Sequence, residues 1–236
     1  MNAFDPPIAY QGKYCGAVIV AAGSASRMEG IDKALAPLGG EPVIVQTVKA
    51  FQACDAVEEI VIVTRQDLLE KIAELVAPFT KVKAVVVGGA DRTQSVLCGL
   101  YALSEKAQLA AIHDGARPLI TPKLITETIA AADFHGAAAP AIPVKDTIKN
   151  VQNHWVYGTP DRNALRAVQT PQVFYLPDLL TALTQAVKDG APITDDCSAL
   201  ERMGIPVYLV DGQESNLKIT TPMDLKVAQL LWEERQ

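Results

Sequence analysis

Two hydrophobic periods alternate along the chain. "CGAVIVAA" (Cys15–Ala22) is an unbroken apolar run, the pattern of a central parallel strand covered on both faces. "PVIVQTVKAFQAC" follows as a helix, with Pro42 suited to its first turn. "EEIVIVT" predicts a second strand, and "DLLEKIAELVAPF" places Leu68, Leu69, Ile72 and Leu75 on one helical face. "KVKAVVVGG" predicts a third strand that ends in two glycines. "RTQSVLCGLYALSE" then reads as a helix and "QLAAIHDGARP" as a strand with a polar end. In "TPKLITETIAAADF", Thr121 is an N-cap and Pro122 the first helical residue; "GAAAPAIPV" is a further strand.

This βα rhythm predicts an α/β fold: a single Rossmann-like domain over residues 14–236, with a mainly parallel twisted sheet and helices on both faces. The rhythm breaks at "KDTIKNVQNHWVYGTPDRNALRAVQTPQVF", which alternates and carries turn residues at Asn150–Asn153 and Gly158. That pattern predicts a projecting two-stranded β-arm at about residues 143–170. A lone ribbon cannot bury its own faces, so its simplest cover is a second copy of the chain. Helices at "PDLLTALTQAVKDG" and "TDDCSALERMG", a strand at "PVYLVDG", a short strand at "NLKIT" and a terminal helix at "TPMDLKVAQLLWEE" complete the reading.

Residues 1–13 lack a basic start followed by an apolar block and read as a loose lead-in without a signal peptide. Charges, Gly or Pro break every apolar stretch, which excludes a membrane span. A net charge of −6 argues against a general nucleic-acid or membrane binder, although a pocket can be basic under an acidic surface. Cys15, Cys54, Cys98 and Cys197 have no CxxC or zinc spacing; they read as core packing in a reducing, cytoplasmic compartment.

"VIVAAGSASRMEGIDKALAPLGGEPVI" (Val18–Ile44) joins the first strand to the first helix through small and polar residues and two lone cations, Arg27 and Lys33. Ligands of open parallel sheets sit at the carboxyl ends of strands. Side chains as small as those of Ala21, Ala22, Gly23 and Ser24 let backbone N–H groups approach an anion, and two cations within reach suit a polyphosphate. The loop is neither G-x-x-x-x-G-K-[ST] nor G-x-G-x-x-G, so a dehydrogenase reading fails.

The stretch resembles the loop of nucleotidyltransferases that couple a nucleoside triphosphate to a sugar or polyol phosphate. Their pattern is A-A-G-x-G-x-R-M, then a Lys shortly before Pro-Leu; here Ala25 replaces the second glycine, a strained choice if positive φ is required there. "GGADRTQSV", "HDGARP", "PVKDTIK", "DRNALRAVQTPQVF", "TDDCSALE" and "NLKIT" follow in order. Together, over about residues 14–232, they resemble the 2-C-methyl-D-erythritol 4-phosphate cytidylyltransferase family of the non-mevalonate isoprenoid pathway.

That resemblance implies transfer of CMP from CTP to 2-C-methyl-D-erythritol 4-phosphate. Arg27 and Lys33 would embrace the triphosphate, with Lys218 a third cation on the α-phosphate. Gly88, Gly89 and Ser95 would read the cytosine, the glycines leaving room for the base, and Arg92 would support their loop. Asp114 and Arg117 would contact ribose or substrate hydroxyls, while His113 is a satisfied core histidine. The family's arm reaches into a neighbouring subunit, so Thr147 and Arg162 would complete the partner's site in a homodimer with exchanged arms. Arg162 would clamp the substrate phosphate there. Thr170 and Thr194 are short hydroxyl donors that fit the polyol or its phosphate, and Asp195 and Asp196 equally fit helix caps. His113, His135 and His154 lie too far apart in sequence for a His-built metal site, so magnesium is expected to arrive with CTP, held by phosphate oxygens and water.

Two alternatives remain. A ribitol 5-phosphate cytidylyltransferase would tend to carry "HDSVRP" where this chain has "HDGARP". A non-catalytic nucleotide-binding protein on the same fold would be expected to have lost a loop cation, yet Arg27, Lys33 and Lys218 are all present.

Overall fold

The first apolar run becomes β1 (Cys15–Val20), the strand on which the sheet is built. The computed structural model describes residues 12–23 and 32–235. After β1 the chain forms a small hairpin, β2 (Pro37–Leu38) with β3 (Glu41–Pro42), and enters α1 (Val43–Gln52). Pro42 therefore precedes the helix rather than opening its first turn. Next come β4 (Glu59–Thr64), α2 (Leu69–Val76), β5 (Val82–Val87), α3 (Arg92–Tyr101), β6 (Leu109–Asp114), α4 (Pro122–His135) and β7 (Ala137–Pro143). A second hairpin, β8 (Asn150–Gln152) with β9 (Trp155–Gly158), is followed by β10 (Arg166–Val168) and β11 (Gln172–Tyr175). The chain closes with α5 (Leu176–Lys188), α6 (Asp196–Arg202), β12 (Tyr208–Asp211) and α7 (Pro222–Glu233).

Eight strands form one sheet in the order β10-β7-β11-β6-β1-β4-β5, with β12 also paired to β7. β1 runs parallel to β4 on one side and β6 on the other, with Val18 opposite both Val61 and Ile112. Only β10 and β11 run against the rest. β1 shows why both faces are covered. Cys15, Ala17 and Ile19 pack with Val48 and Phe51 of α1 and Leu124 and Ile125 of α4. Val18 packs on the opposite face with Val96 and Leu100 of α3 and Leu183 of α5. Successive side chains of a strand point to opposite faces, so an unbroken apolar run feeds two layers of helices at once.

The helix starts are sequence-encoded. The side chain of Thr121 accepts the Leu124 N–H at the start of α4, and Asp195 and Thr221 each form a capping box on α6 and α7. "NLKIT" is not a strand. It runs without a ladder, and Ile219 N–H donates to the Ala116 carbonyl at 2.8 Å. The alternating segment divides into two parts: β8 and β9 form a hairpin outside the main sheet, whereas residues 166–168 pair with Pro143, Ile142 and Ala141 of β7. On the hairpin Trp155 and Tyr157 are 80% and 69% exposed.

Candidate active site

The parallel strands β1, β4, β5 and β6 deliver their carboxyl ends to one side of the sheet, and a cleft of about 350 Å³ opens there. Each strand contributes the residues that follow it or end it. β1 leads into Ala21, Ala22 and Gly23; β4 into Arg65; β5 into Gly89, Ala90 and Asp91; and β6 ends at Asp114. Lys33 and Lys218 join the lining from the turn before β2 and the segment before α7, and Arg92 and Ser95 join it from α3. Arg27 and Ser24, together with Ala25, lie outside the described residues.

Asp114 is the electrostatic centre. Lys218 Nζ lies 2.9 Å from Oδ2, Arg117 Nε lies 3.5 Å from the same oxygen, and Arg92 Nε lies 3.9 Å from Oδ1. Burial pushes this carboxyl up, but Lys218, Arg92 and Arg117 outweigh it and hold its pKa at about 2. Asp114 thus stays ionised and keeps the Lys218 ammonium at the cleft.

A depressed carboxyl contributes stability above its unfolded-state pKa of about 4, which is lost as pH falls through the folded value. The shift corresponds to about 2 kcal/mol. Denaturant unfolding between pH 5 and 2 is expected to show wild type losing that amount more than Asp114→Asn. Parallel pH profiles would refute the assignment.

Beneath Asp114 lies a buried hydrogen-bonded shelf. The Thr170 hydroxyl accepts the Asp114 N–H at 3.1 Å and lies 3.0 Å from His113 Nδ1, while His113 Nε2 lies 3.2 Å from the Arg117 carbonyl. One proton arrangement satisfies all three: Thr170 donates to Nδ1, and a neutral imidazole donates from Nε2. Burial, more than any neighbour, lowers the His113 pKa to about 4, consistent with that neutral ring. His113 is thus the core histidine expected. Thr170 differs from expectation: its hydroxyl is engaged inside the protein and supports Asp114. Arg117 is also largely buried, with Nη1 donating to the Asn216 carbonyl at 2.7 Å, so it fixes the segment that carries Lys218.

β5 leads into two glycines that the following turn requires. A Cβ on Gly88 would lie 2.6 Å from Ser95 Oγ, and one on Gly89 would lie 2.3 Å from Gln94 Cβ. Both are needed first for the close approach of this turn to α3. Ser95 is buried, and its hydroxyl donates to the Asp91 carbonyl at 2.7 Å. Asp91 caps α3 by accepting the Gln94 N–H at 2.8 Å.

Arg92 does more than support a loop. Its Nη1 and Nη2 donate to the two oxygens of Asp196 at 3.0 and 2.7 Å. Asp196 is fully buried; burial pushes its carboxyl up and Arg92 pulls it back. Asp195, not Asp196, is the cap of α6. Arg65, which sequence reasoning missed, lines the same cleft and is paired with Asp32 and Asp67. Its signal was a cation directly after a strand that neighbours β1.

Three expected residues stand apart. Thr194 is exposed, and its N–H meets Ser198 Oγ at 3.3 Å. Thr147 and Arg162 are exposed on the segments flanking the hairpin, and Arg162 Nη1 donates to the Lys145 carbonyl at 2.9 Å. None of the three lines the cleft around Asp114 among the described residues.

Comparison with known proteins places this geometry. The family model described as 2-C-methyl-D-erythritol 4-phosphate cytidylyltransferase matches residues 15–234. A protein of that name from Symbiobacterium thermophilum is 46% identical over 219 residues, covering 92% of this chain and 92% of its own. One from Caldanaerobacter subterraneus subsp. tengcongensis is 42% identical, covering 91% and 96%. The crystal structure of 4-diphosphocytidyl-2C-methyl-D-erythritol synthase from Anaerococcus prevotii is similar with a TM-score of 0.85 at 30% identity, covering 94% of this chain and 97% of that one. The corresponding cytidylyltransferase structure from Thermus thermophilus has a TM-score of 0.77 at 31% identity, covering 92% and 98%. With its sheet, its cleft and its order of motifs, this chain belongs to the 2-C-methyl-D-erythritol 4-phosphate cytidylyltransferase family.

Proposed function

We propose that the cleft transfers CMP from CTP to 2-C-methyl-D-erythritol 4-phosphate, releasing pyrophosphate and 4-diphosphocytidyl-2-C-methyl-D-erythritol. The observation that carries this reading is the meeting of Lys33 and Lys218 in one cleft at the ends of β1 and β6. A phosphate oxygen of the polyol attacks the α-phosphorus, the bond to the β-phosphate oxygen breaks, and pyrophosphate carries the electron pair away. The nucleophile is already an anion, so the protein's work is alignment and charge neutralisation. Lys33 binds the triphosphate with Arg27, and Lys218, held by Asp114, faces the α-phosphate. Ala21, Ala22 and Gly23 offer backbone N–H groups, and the Gly88–Gly89 turn with Ser95 offers the surface for the base.

The described lining fits a magnesium ion carried by the nucleotide. Asp91 and Asp114 are its carboxylates, and both are engaged, one capping α3 and the other holding three cations. Bound to the triphosphate, magnesium would add charge neutralisation there. No helix of the described residues is long and apolar enough to cross a membrane. The deciding assay is pyrophosphate release from CTP, UTP, ATP and GTP with methylerythritol phosphate or ribitol 5-phosphate. CTP with methylerythritol phosphate is expected to be the fastest pair. Preference for ribitol phosphate, or no turnover at all, would reject the reading.

The exposed hairpin supports a homodimer with exchanged arms, in which Thr147, Arg162 and Thr194 serve the substrate. Arg162 and Thr147 lie outside this chain's own cleft, as residues acting in trans must. Mixing inactive Lys33→Ala and Arg162→Ala chains is then expected to restore part of the activity. Proven heterodimers without recovery would rule out action of Arg162 in trans.

A further inference from the structure

Arg65 bonds to the chain on both sides of residues 24–31. Its Nη1 donates to the Gly23 carbonyl at 3.3 Å, and its Nη2 lies 2.7 Å from Asp32 Oδ2. Nε and Nη2 also donate to the two oxygens of Asp67 at 3.0 and 2.9 Å. Asp32 in turn orders Lys33. Its Oδ1 accepts the Ala34 N–H at 3.0 Å and its carbonyl accepts the Leu35 N–H at 3.1 Å, closing a turn around Lys33. The Lys33 ammonium comes back over Gly23, 3.3 Å from where a Cβ on that glycine would lie. Arg65 therefore links Gly23 to Asp32, and the Lys33 ammonium lies beside Gly23 at the cleft.

Charge distinguishes this arginine from a phosphate ligand. Two carboxylates already face it, Asp67 the stronger partner and Asp32 the second, and together they hold it firmly protonated. Its hydrogen bonds go to the Gly23 carbonyl and the Asp67 carboxylate, and Asp32 Oδ2 is held beside them as a close ion pair.

We propose that Arg65 is a positioning residue that fixes Gly23 and Asp32 relative to each other, so that the Lys33 ammonium is in place before nucleotide arrives. This rests on Lys33 as a triphosphate ligand. Its value is preorganisation: a cation displaced by an ångström loses much of its effect on a developing charge.

Arg65→Met keeps the aliphatic stem and deletes the four contacts. Amide hydrogen exchange at Ala34 and Leu35 is expected to accelerate while amides of β1 and β4 stay protected. This readout needs no substrate and stands whatever the reaction is. In kinetics, kcat is expected to fall by up to about 10²-fold with KM for methylerythritol phosphate unchanged. In a Lys33→Ala background the same substitution is expected to cost nothing more, because Arg65 acts through Lys33. Asp32→Asn is expected to reproduce part of both effects. Unchanged exchange at Ala34 and Leu35 overturns the proposal. A full further loss in the Lys33→Ala background also overturns it and makes Arg65 a nucleotide ligand in its own right. If the wild type releases no pyrophosphate from CTP, the assigned reaction fails, and the exchange measurement alone decides on the tie.

Discussion

Lys33→Ala is expected to lower kcat by about 10²–10³-fold and to weaken CTP binding, while the melting temperature changes little. The rate loss is that of removing one preorganised charge from the site of a charged transition state, about 3–4 kcal/mol. Lys33 lines the cleft together with Ala21, Ala22, Gly23 and Lys218. As pyrophosphate departs, negative charge grows on the bridging oxygen. An ammonium fixed there interacts more strongly with the transition state than with bound CTP, so kcat falls as well as affinity. Stability is spared because Lys33 lies on a partly exposed turn rather than in the core. Lys33→Arg is expected to recover only part, since a planar fork does not replace a compact ammonium. Steady-state kinetics with each substrate varied, beside thermal melts, provide the check. A folded Lys33→Ala enzyme that retains more than about a tenth of wild-type kcat, well short of the expected loss, would exclude the loop as the catalytic cradle.

Arg92→Met is expected to have the largest effect on stability. Arg92 supplies the hydrogen bonds to both oxygens of Asp196, a carboxylate with no solvent exposure. Removing one partner of such a pair leaves an uncompensated buried charge and costs about 3–5 kcal/mol. For a chain of this length that lowers the melting temperature by roughly 6–20 °C. The pH dependence has a definite sign. Burial already outweighs Arg92 at Asp196, and without Arg92 burial, with the Asp114 and Asp195 carboxylates, pushes the carboxyl further above its unfolded value of about 4. A raised carboxyl favours folding where it is protonated, so the deficit of the variant shrinks as pH falls towards 4 and grows as pH rises. Replacing both members, as Arg92→Met with Asp196→Leu, is expected to recover much of the loss. Denaturant unfolding at pH 4 and pH 7 reads both effects, and a single variant as stable as wild type at pH 7 would refute the buried-pair account.

The same pair marks where sequence reasoning stopped. Strands such as β1 and β4 were legible because two-sided burial leaves a local trace, an uninterrupted apolar run. The cap at Thr121 was legible for a similar reason: cap and helix are contiguous. Lys33, Lys218 and Asp114 were reached through motifs. Arg92 and Asp196, by contrast, are 104 residues apart, and Asp196 one residue inside a helix reads equally well as a cap. The hydroxyl of Thr170 looked available for substrate because nothing local shows that His113 and Asp114 occupy it. "NLKIT" misled in another way. Ile219 is buried and Lys218 exposed, as in an edge strand, but side chains such as Arg117 and the single main-chain bond from Ile219 to Ala116 hold the segment, with no ladder among the described residues. Alternation reports burial, not the presence of a neighbouring strand. Within residues 143–170 only β8 and β9 pair as a separate hairpin, and alternation could not show that Arg166–Val168 pairs with β7 instead.

The terminal helix α7 has a bearing on how the enzyme is made. Its residues Leu225, Ala228, Leu231 and Trp232 pack with Leu38, Val43 and Ile219, and Gln229 accepts the Gly39 N–H at 3.0 Å. This small cluster clamps the segment that presents Lys218 against the hairpin after Lys33. Ribosomes extend a chain by about 5–20 residues per second, so roughly 10–40 s separate the emergence of the two lysines. The strands β1, β4, β5 and β6 are all synthesised well before the clamp exists. In the nascent chain the two lysines of the cleft are therefore brought together late, and the packing of α7 that spans their two segments is the last part of the cleft to be made. A message that ends before Pro222 would keep the ties of Lys218 to Asp114 and of Asn216 to Arg117 but would leave Leu38, Val43 and Ile219 without their apolar cover, so the Lys218 segment and the hairpin after Lys33 would lose the element that packs against both.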